Sequence, residues 1–144
     1  MSGLFGILDV AASGMTLERT RVSLATSNLA NARTTRTAEG GPYRRKMAVV
    51  ESSPVEHSPF DAALEAADVS GVKASGIVED PAPAKIVHEP GHPDADPNGD
   101  VAYPNVEPMT EMVDLMMASR AYEANATAAE TTRGLIQRTV DLLR

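Results

Sequence analysis

The chain of 144 residues contains no cysteine and no tryptophan, and its large rings are three tyrosines and two phenylalanines. Without cysteine there is neither a disulfide nor thiolate chemistry, which leaves the redox compartment open. So few rings make a conventional deep core hard to build, because aromatic side chains supply much of the buried area in a domain of this size. Proline is missing from both ends, and all ten prolines lie between Pro42 and Pro108. A helix interior rejects proline at about 3 kcal/mol. Residues 1–41 and 109–144 can therefore be long helices, and the middle cannot. A single uniform helical bundle and an all-β domain are both excluded. No apolar run approaches the roughly 18 residues that a membrane span requires. No base precedes the apolar stretch Leu4–Leu8, Asp9 interrupts it, and the first base is Arg19. That order argues against a cleavable signal peptide. The expectation is a chain that is soluble, or exported by a route that does not read such a signal.

The net charge of −7 is unevenly placed. Residues 1–36 hold four arginines against Asp9 and Glu18, whereas residues 37–108 hold thirteen acids against five bases. An acidic middle argues against a nucleic-acid partner, since phosphate contacts need clustered Lys and Arg. Arg44, Arg45 and Lys46 form one short basic run, which reads as a solvated turn.

Hydrophobic periodicity identifies the ends. Leu4, Leu8, Ala11, Met15, Glu18, Val22, Ala25, Leu29 and Ala32 are spaced by alternating fours and threes, with Glu18 alone off pattern. Met112, Leu115, Ser119, Tyr122, Ala126, Ala129, Arg133, Ile136, Val140 and Leu143 repeat the spacing, with Ser119 and Arg133 off pattern. This is the seam of helices packed along their length. Helices of about 30 and 36 residues would run about 45 and 54 Å. Asn105 or a neighbour is a candidate cap for the second, with Pro108 tolerated in its first turn. A second apolar stripe accompanies each seam: Ile7, Val10, Leu17 and Leu24 on the first helix, and Met117, Ala121, Ala124, Ala128, Leu135 and Leu142 on the second. A two-helix hairpin buries one stripe per helix, so the other needs the middle segment or a neighbouring subunit. The seams are rich in Ala and Met and bury little area per residue. The ends are expected to be marginal in an isolated monomer and ordered on assembly.

Between the ends, Lys46–Glu51, Val69–Glu79, Ala84–His88 and Val101–Tyr103 are short Val/Ile-rich runs punctuated by Pro, Gly and Asp. They predict a small sheet of three or four strands, with loops over 52–60 and 89–100. The fold class is α+β: an antiparallel coiled coil of the N- and C-terminal helices with a small β-rich insertion. The expected divisions are residues 1–36, 37–107 and 108–144.

Chemical signals are few. Asp94, Asp96, Asn98 and Gly99 match the opening of an EF-hand loop, where oxygens at alternate positions converge on calcium. The closing Glu of such a loop is here Asn105, and Pro97 interrupts it; a turn cluster is the plainer reading. His88 and His92 with Asp94 or Asp96 are candidate zinc ligands, but Pro90 and Pro93 deny the histidines a helix face. No nucleophile elbow, zinc-protease motif, phosphate loop or dinucleotide fingerprint occurs. Neither an enzyme, a cofactor, a metal nor a small-molecule substrate is expected. The alternative kept open is a small calcium-binding or acidic adaptor module.

The segment Ser27-Asn28-Leu29-Ala30-Asn31-Ala32 followed by Thr34 and Thr35, with Ser13-Gly14-Met15 before it, resembles the N-terminal signature of bacterial flagellar rod and hook proteins. Glu111–Asn125, EMVDLMMASRAYEAN, resembles their C-terminal signature. Gly40–Lys46 and Gly91–Val106 are similar to segments of the rod proteins of the proximal part. Arg33-Thr34-Thr35-Arg36 departs from the shared pattern, which more often has a small residue and then glycine. The resemblance implies a structural rod subunit of the flagellar basal body in the periplasm that transmits torque. It would leave the cell through the flagellar type III export apparatus and assemble helically with copies of itself, other proximal rod proteins and the adaptor FliE.

Within this frame, Leu8, Met15, Val22 and Leu29 are expected to face Met112, Leu115, Tyr122, Ile136 and Val140. Ile7, Leu17, Leu24, Ala121 and Leu135 are expected to meet neighbouring subunits. Asn28 and Asn31 have two readings: helix termination near the C-cap, or side-chain amides bridging between packed helices in the assembled rod.

Overall fold

The computed structural model describes residues 2–54 and 70–142, with side chains from residue 6 onward. Among these residues two long helices flank four strands in sequence: α1 (Ser2–Ala30), β1 (Lys46–Pro54), β2 (Ser70–Glu79), β3 (Lys85–His88), β4 (Asp100–Tyr103) and α2 (Pro108–Leu142). The proline-free ends are thus helices of 29 and 35 residues, and the α+β class holds.

Local chemistry explains where the helices stop and start. At the end of α1 the Asn31 backbone N–H and its side-chain amide both donate to the Ser27 carbonyl, at 3.1 and 2.9 Å. The Ala32 N–H then donates to Leu29 at the tighter spacing of a closing turn. Thr34 donates its hydroxyl to Asn31 Oδ1 at 3.2 Å, so Asn31 terminates the helix. At the start of α2, the Glu111 N–H donates to the Glu107 carbonyl at 3.1 Å, which puts Pro108 in the first turn, where no donor is needed. Asn105 does not cap this helix. Its Oδ1 accepts the Arg45 backbone N–H at 3.1 Å instead.

The strands fall where the Val/Ile runs lie, but they make two separate two-stranded sheets, not one sheet. β1 and β2 form an antiparallel ribbon from Lys46↔Glu79 to Pro54↔Ser70, with a bulge at Val49/Val50. β1 runs through Ser52–Pro54, which the sequence reading assigned to a loop. β3 and β4 pair from Lys85↔Tyr103 to His88↔Asp100. Among the described residues much of the ribbon is exposed on both faces. Val69, at the expected start of the second run, lies outside the described residues, as does Leu143 at the end of the expected seam.

The helices are antiparallel. Asn28 meets Glu111, and fourteen residues back along α1, Gly14 meets Asn125, fourteen residues forward along α2. A Cβ built on Gly14 would lie 2.7 Å from Asn125 Nδ2, so the missing side chain is what admits Asn125. Among the described residues, buried apolar side chains are few and mostly small: Ala11, Leu17, Ala25, Tyr43, Val101, Val106 and Ala118.

The phase of the seam differs from the apolar reading. On α2 the buried residues are Glu111, Ala118 and Thr132. Each stands one position before Met112, Ser119 and Arg133, which are exposed. On α1 the buried line through Ala11, Gly14, Glu18, Ala25 and Asn28 keeps Ala11, Glu18 and Ala25 of the expected seam but replaces Met15 and Leu29 by their predecessors. The heptad spacing survives while its centre moves onto small and polar residues. Close approach at glycine and alanine, together with a polar cluster at one end, decides the phase.

Candidate assembly interface

The polar cluster is built from four stretches that converge where α1 ends and α2 begins. Asn28 is 1% exposed, and every hydrogen-bonding position of its amide is used. Its Nδ2 donates to the Lys46 carbonyl and to Glu111 Oε2, both at 3.0 Å. Its Oδ1 accepts the Tyr43 hydroxyl and the Lys46 N–H, both at 2.9 Å. Glu111, also 1% exposed, receives the Arg45 Nε–H on its other oxygen. A second Arg45 nitrogen reaches Asp114 Oδ2 at 3.1 Å. The Lys46 ammonium lies 5.8 Å from the centroid of the Tyr43 ring, within cation–π range. The basic run is therefore not a solvated turn throughout: Arg44 is exposed, while Arg45 holds two carboxylates. A buried carboxylate is tolerated here because it has both a guanidinium and an amide. Asn28 is a bridge within one chain and not a helix terminator.

The other signature residues are joints too. The Ser13 hydroxyl donates to the Val10 carbonyl at 2.7 Å and accepts the Val72 N–H at 3.2 Å, which fastens β2 to α1. Thr35 donates to Asp94 at 2.8 Å and Arg36 lies 3.8 Å from the same carboxylate, which fastens the acidic loop to the end of α1. Gly40 and Gly41 have φ of 90° and 76° in the turn before Tyr43, a region that favours glycine.

The acidic loop has the chemistry of a turn. Asp96 Oδ1 accepts the N–H groups of Asn98 and Asp100 at 2.8 and 2.9 Å. The Asp100 N–H is the main reason its carboxyl titrates below the ordinary 3.8. His88 Nδ1 lies 2.9 Å from Asp100 Oδ1, His92 Nδ1 accepts the Asp94 N–H, and Tyr103 donates to Glu89 at 2.9 Å. The Glu89 carboxylate, as that acceptor, holds the Tyr103 phenol above its ordinary 10.0. Among the described residues no three His, Asp or Glu side chains converge as metal ligands. Among the same residues no helix is long and apolar enough to cross a membrane.

The residues expected to pack along the helix pair or between subunits divide by burial. Leu17 is buried inside the chain, in the cleft where α1 meets Gly71 and Val72 of the ribbon. Leu24 is half-buried beside Met47 and Val50, so the ribbon covers part of the stripe that the sequence left open for a neighbour. Leu8, Met15, Val22, Leu29, Asn31, Leu115, Ala121 and Ile136 are half-buried along the helix pair. Ile7, Met112, Tyr122, Leu135 and Val140 are exposed. The sequence reading missed the apolar face at the start of α2, where Met109, Met112, Val113, Met116 and Met117 all stand exposed, Met109 at 67%. A methionine cluster aligned at helical spacing was its available signal.

Both helical ends match models of flagellar proteins. Residues 8–36 match the family described as flagella basal body rod protein, and residues 98–142 the one described as flagellar basal body rod FlgEFG protein C-terminal. Whole-chain relatives narrow this class. The flagellar basal-body rod protein FlgC of Bacillus subtilis is 40% identical over 96% of this chain and 97% of its own. That of Salmonella typhimurium is 40% identical over the same shares, and that of Borreliella burgdorferi 37% identical over 99% of each chain. The chain belongs to the FlgC family of flagellar basal-body rod proteins, a structural class. Nothing in the fold or the comparisons supports the calcium-binding alternative.

Proposed function

We propose that this chain is a subunit of the proximal rod that acts by assembly and not by catalysis, through the faces that its own fold leaves uncovered. The carrying observation is the row Met109, Met112, Val113, Met116 and Met117, turned away from α1 over the first turns of α2. A contiguous apolar face of this kind marks an interaction site, and methionine adapts to more than one partner shape. Tyr122, Leu135 and Val140 extend the uncovered apolar surface along the helix. A face that meets a different face on the next copy does not close on itself and propagates as a helical tube. Many such contacts of modest strength would transmit torque along the rod. The partners in this reading are copies of itself, the other proximal rod proteins and the adaptor FliE. Delivery to the periplasm is by the flagellar type III export apparatus, without signal cleavage. Residues 37–107 serve as a spacer and surface domain between the helical units 1–36 and 108–144.

Removal of the chain from its host should abolish swimming and leave no rod visible by electron microscopy; swimming cells would overturn the function. Met116→Asp supplied in its place tests the face. Because Met116 is exposed, the purified variant should melt within about 0.5 kcal/mol of the parent while motility is lost. Normal swimming with this variant would remove the outer face of α2 from the interface.

A further inference from the structure

We propose that Asn28 and Glu111 set the register of α1 against α2. The inference concerns the helix pair alone and holds or fails independently of rod assembly. Between the joint and the far end, the buried line of the helix pair is mostly small, Ala11, Gly14 and Ala25 with Glu18 on one side and Ala118 and Thr132 on the other, with Asn125 seated on Gly14. The alanines and threonine of this line fit one another about equally well when one helix slides by seven positions, because small side chains carry little shape information; Asn125 alone would lose its glycine and meet Ile7 or Arg21. The polar element that does not repeat is the buried pair. Asn28, Tyr43, Arg45 and Lys46 form one block attached to α1, and Glu111 is the only α2 residue that both Asn28 and Arg45 bind. A seven-residue slip in one direction carries Glu111 beyond the end of α1. The opposite slip brings it to Arg21, which is already paired with the buried Glu18 at 3.3 Å, and so sets two carboxylates side by side. Each wrong register thus leaves a buried charge without its partners, whereas the native one satisfies all of them. A single polar position fixes coiled-coil register in the same way, at some cost in stability.

The absence of cysteine makes the test clean. In the full-length protein, Ala11→Cys with Ala129→Cys places thiols across the native register, because Ala11 is three residues before Gly14 and Ala129 four after Asn125. Ala11→Cys with Tyr122→Cys, and Ala11→Cys with Ile136→Cys, report slips of seven in the two directions. Under mild oxidation the native pair should dominate in the parent background. In the background Asn28→Leu with Glu111→Leu, helix content by circular dichroism should persist, because the leucines fill the joint with apolar volume and Arg45 keeps Asp114. There the native cross-link should fall about threefold or more, with a slipped pair appearing, as expected when a register-specifying polar residue is removed. Three results would each overturn the proposal: equal yields in the parent, an undiminished native cross-link in the double variant, or loss of helix in that variant. The last would make the pair a source of stability and not of register.

Discussion

The two ends of the helix pair are held by opposite means. Where α1 ends and α2 begins, Asn28, Tyr43, Arg45 and Glu111 are buried or half-buried and linked by directional hydrogen bonds. Toward the other end, past Ala118, contact rests on Gly14, Asn125, Ala129 and Thr132, and much of α2 beyond is exposed. One end is specified by geometry and the other by the mere absence of bulk. A protein that leaves its helices available to neighbours can be definite at one end and accommodating at the other. The arrangement also explains how so few aromatic rings suffice, since directional bonds replace buried area at the joint.

The strongest way to break the contrast is to remove the centre of the joint. Glu111→Ala takes from Arg45 its buried partner, leaving it Asp114 alone, and frees one Asn28 amide hydrogen; it should cost about 3–5 kcal/mol, read from urea or thermal melts of the purified chain. An effect below about 1 kcal/mol, the worth of one ordinary hydrogen bond, would show that the joint is decorative. Midway along the pair, Gly14→Val drives a side chain into Asn125 and should cost about 1–3 kcal/mol. Asn125→Ala in the same chain should recover part of that loss, because it vacates the contested space.

The smallest effect belongs to the acidic loop. Asp96 is held below its ordinary 3.8 chiefly by the Asp100 N–H, so the ionised form is the one the folded loop favours. The order it contributes is present above 3.8 and lost as pH falls through its lower folded value. Amide resonances of Asn98 and Asp100 should move together over that acid range, and Asp96→Ala should abolish the transition without altering the helices.

Much of this fold is legible in the sequence. The proline map located the helices, and the Val/Ile runs located the strands to within a few residues. That the strands form two sheets was not legible, because pairing depends on which neighbours the loops bring together. Seam phase is missed for a physical reason: periodicity counts large apolar residues, and the buried positions it passes over are Gly14, Asn28, Glu111 and Thr132. Leu17 was read as facing outward because nothing in the sequence says that the ribbon folds back onto α1. The exposed methionines of α2 were visible as residues but not as a face until the seam had its correct phase.

Asn28 also turns the molecule into its own recorder. With both side-chain protons bonded inside the joint, they can exchange with solvent only when the joint opens. Their exchange rate is therefore a clock for that one event, readable in a free subunit and again in one locked among its neighbours.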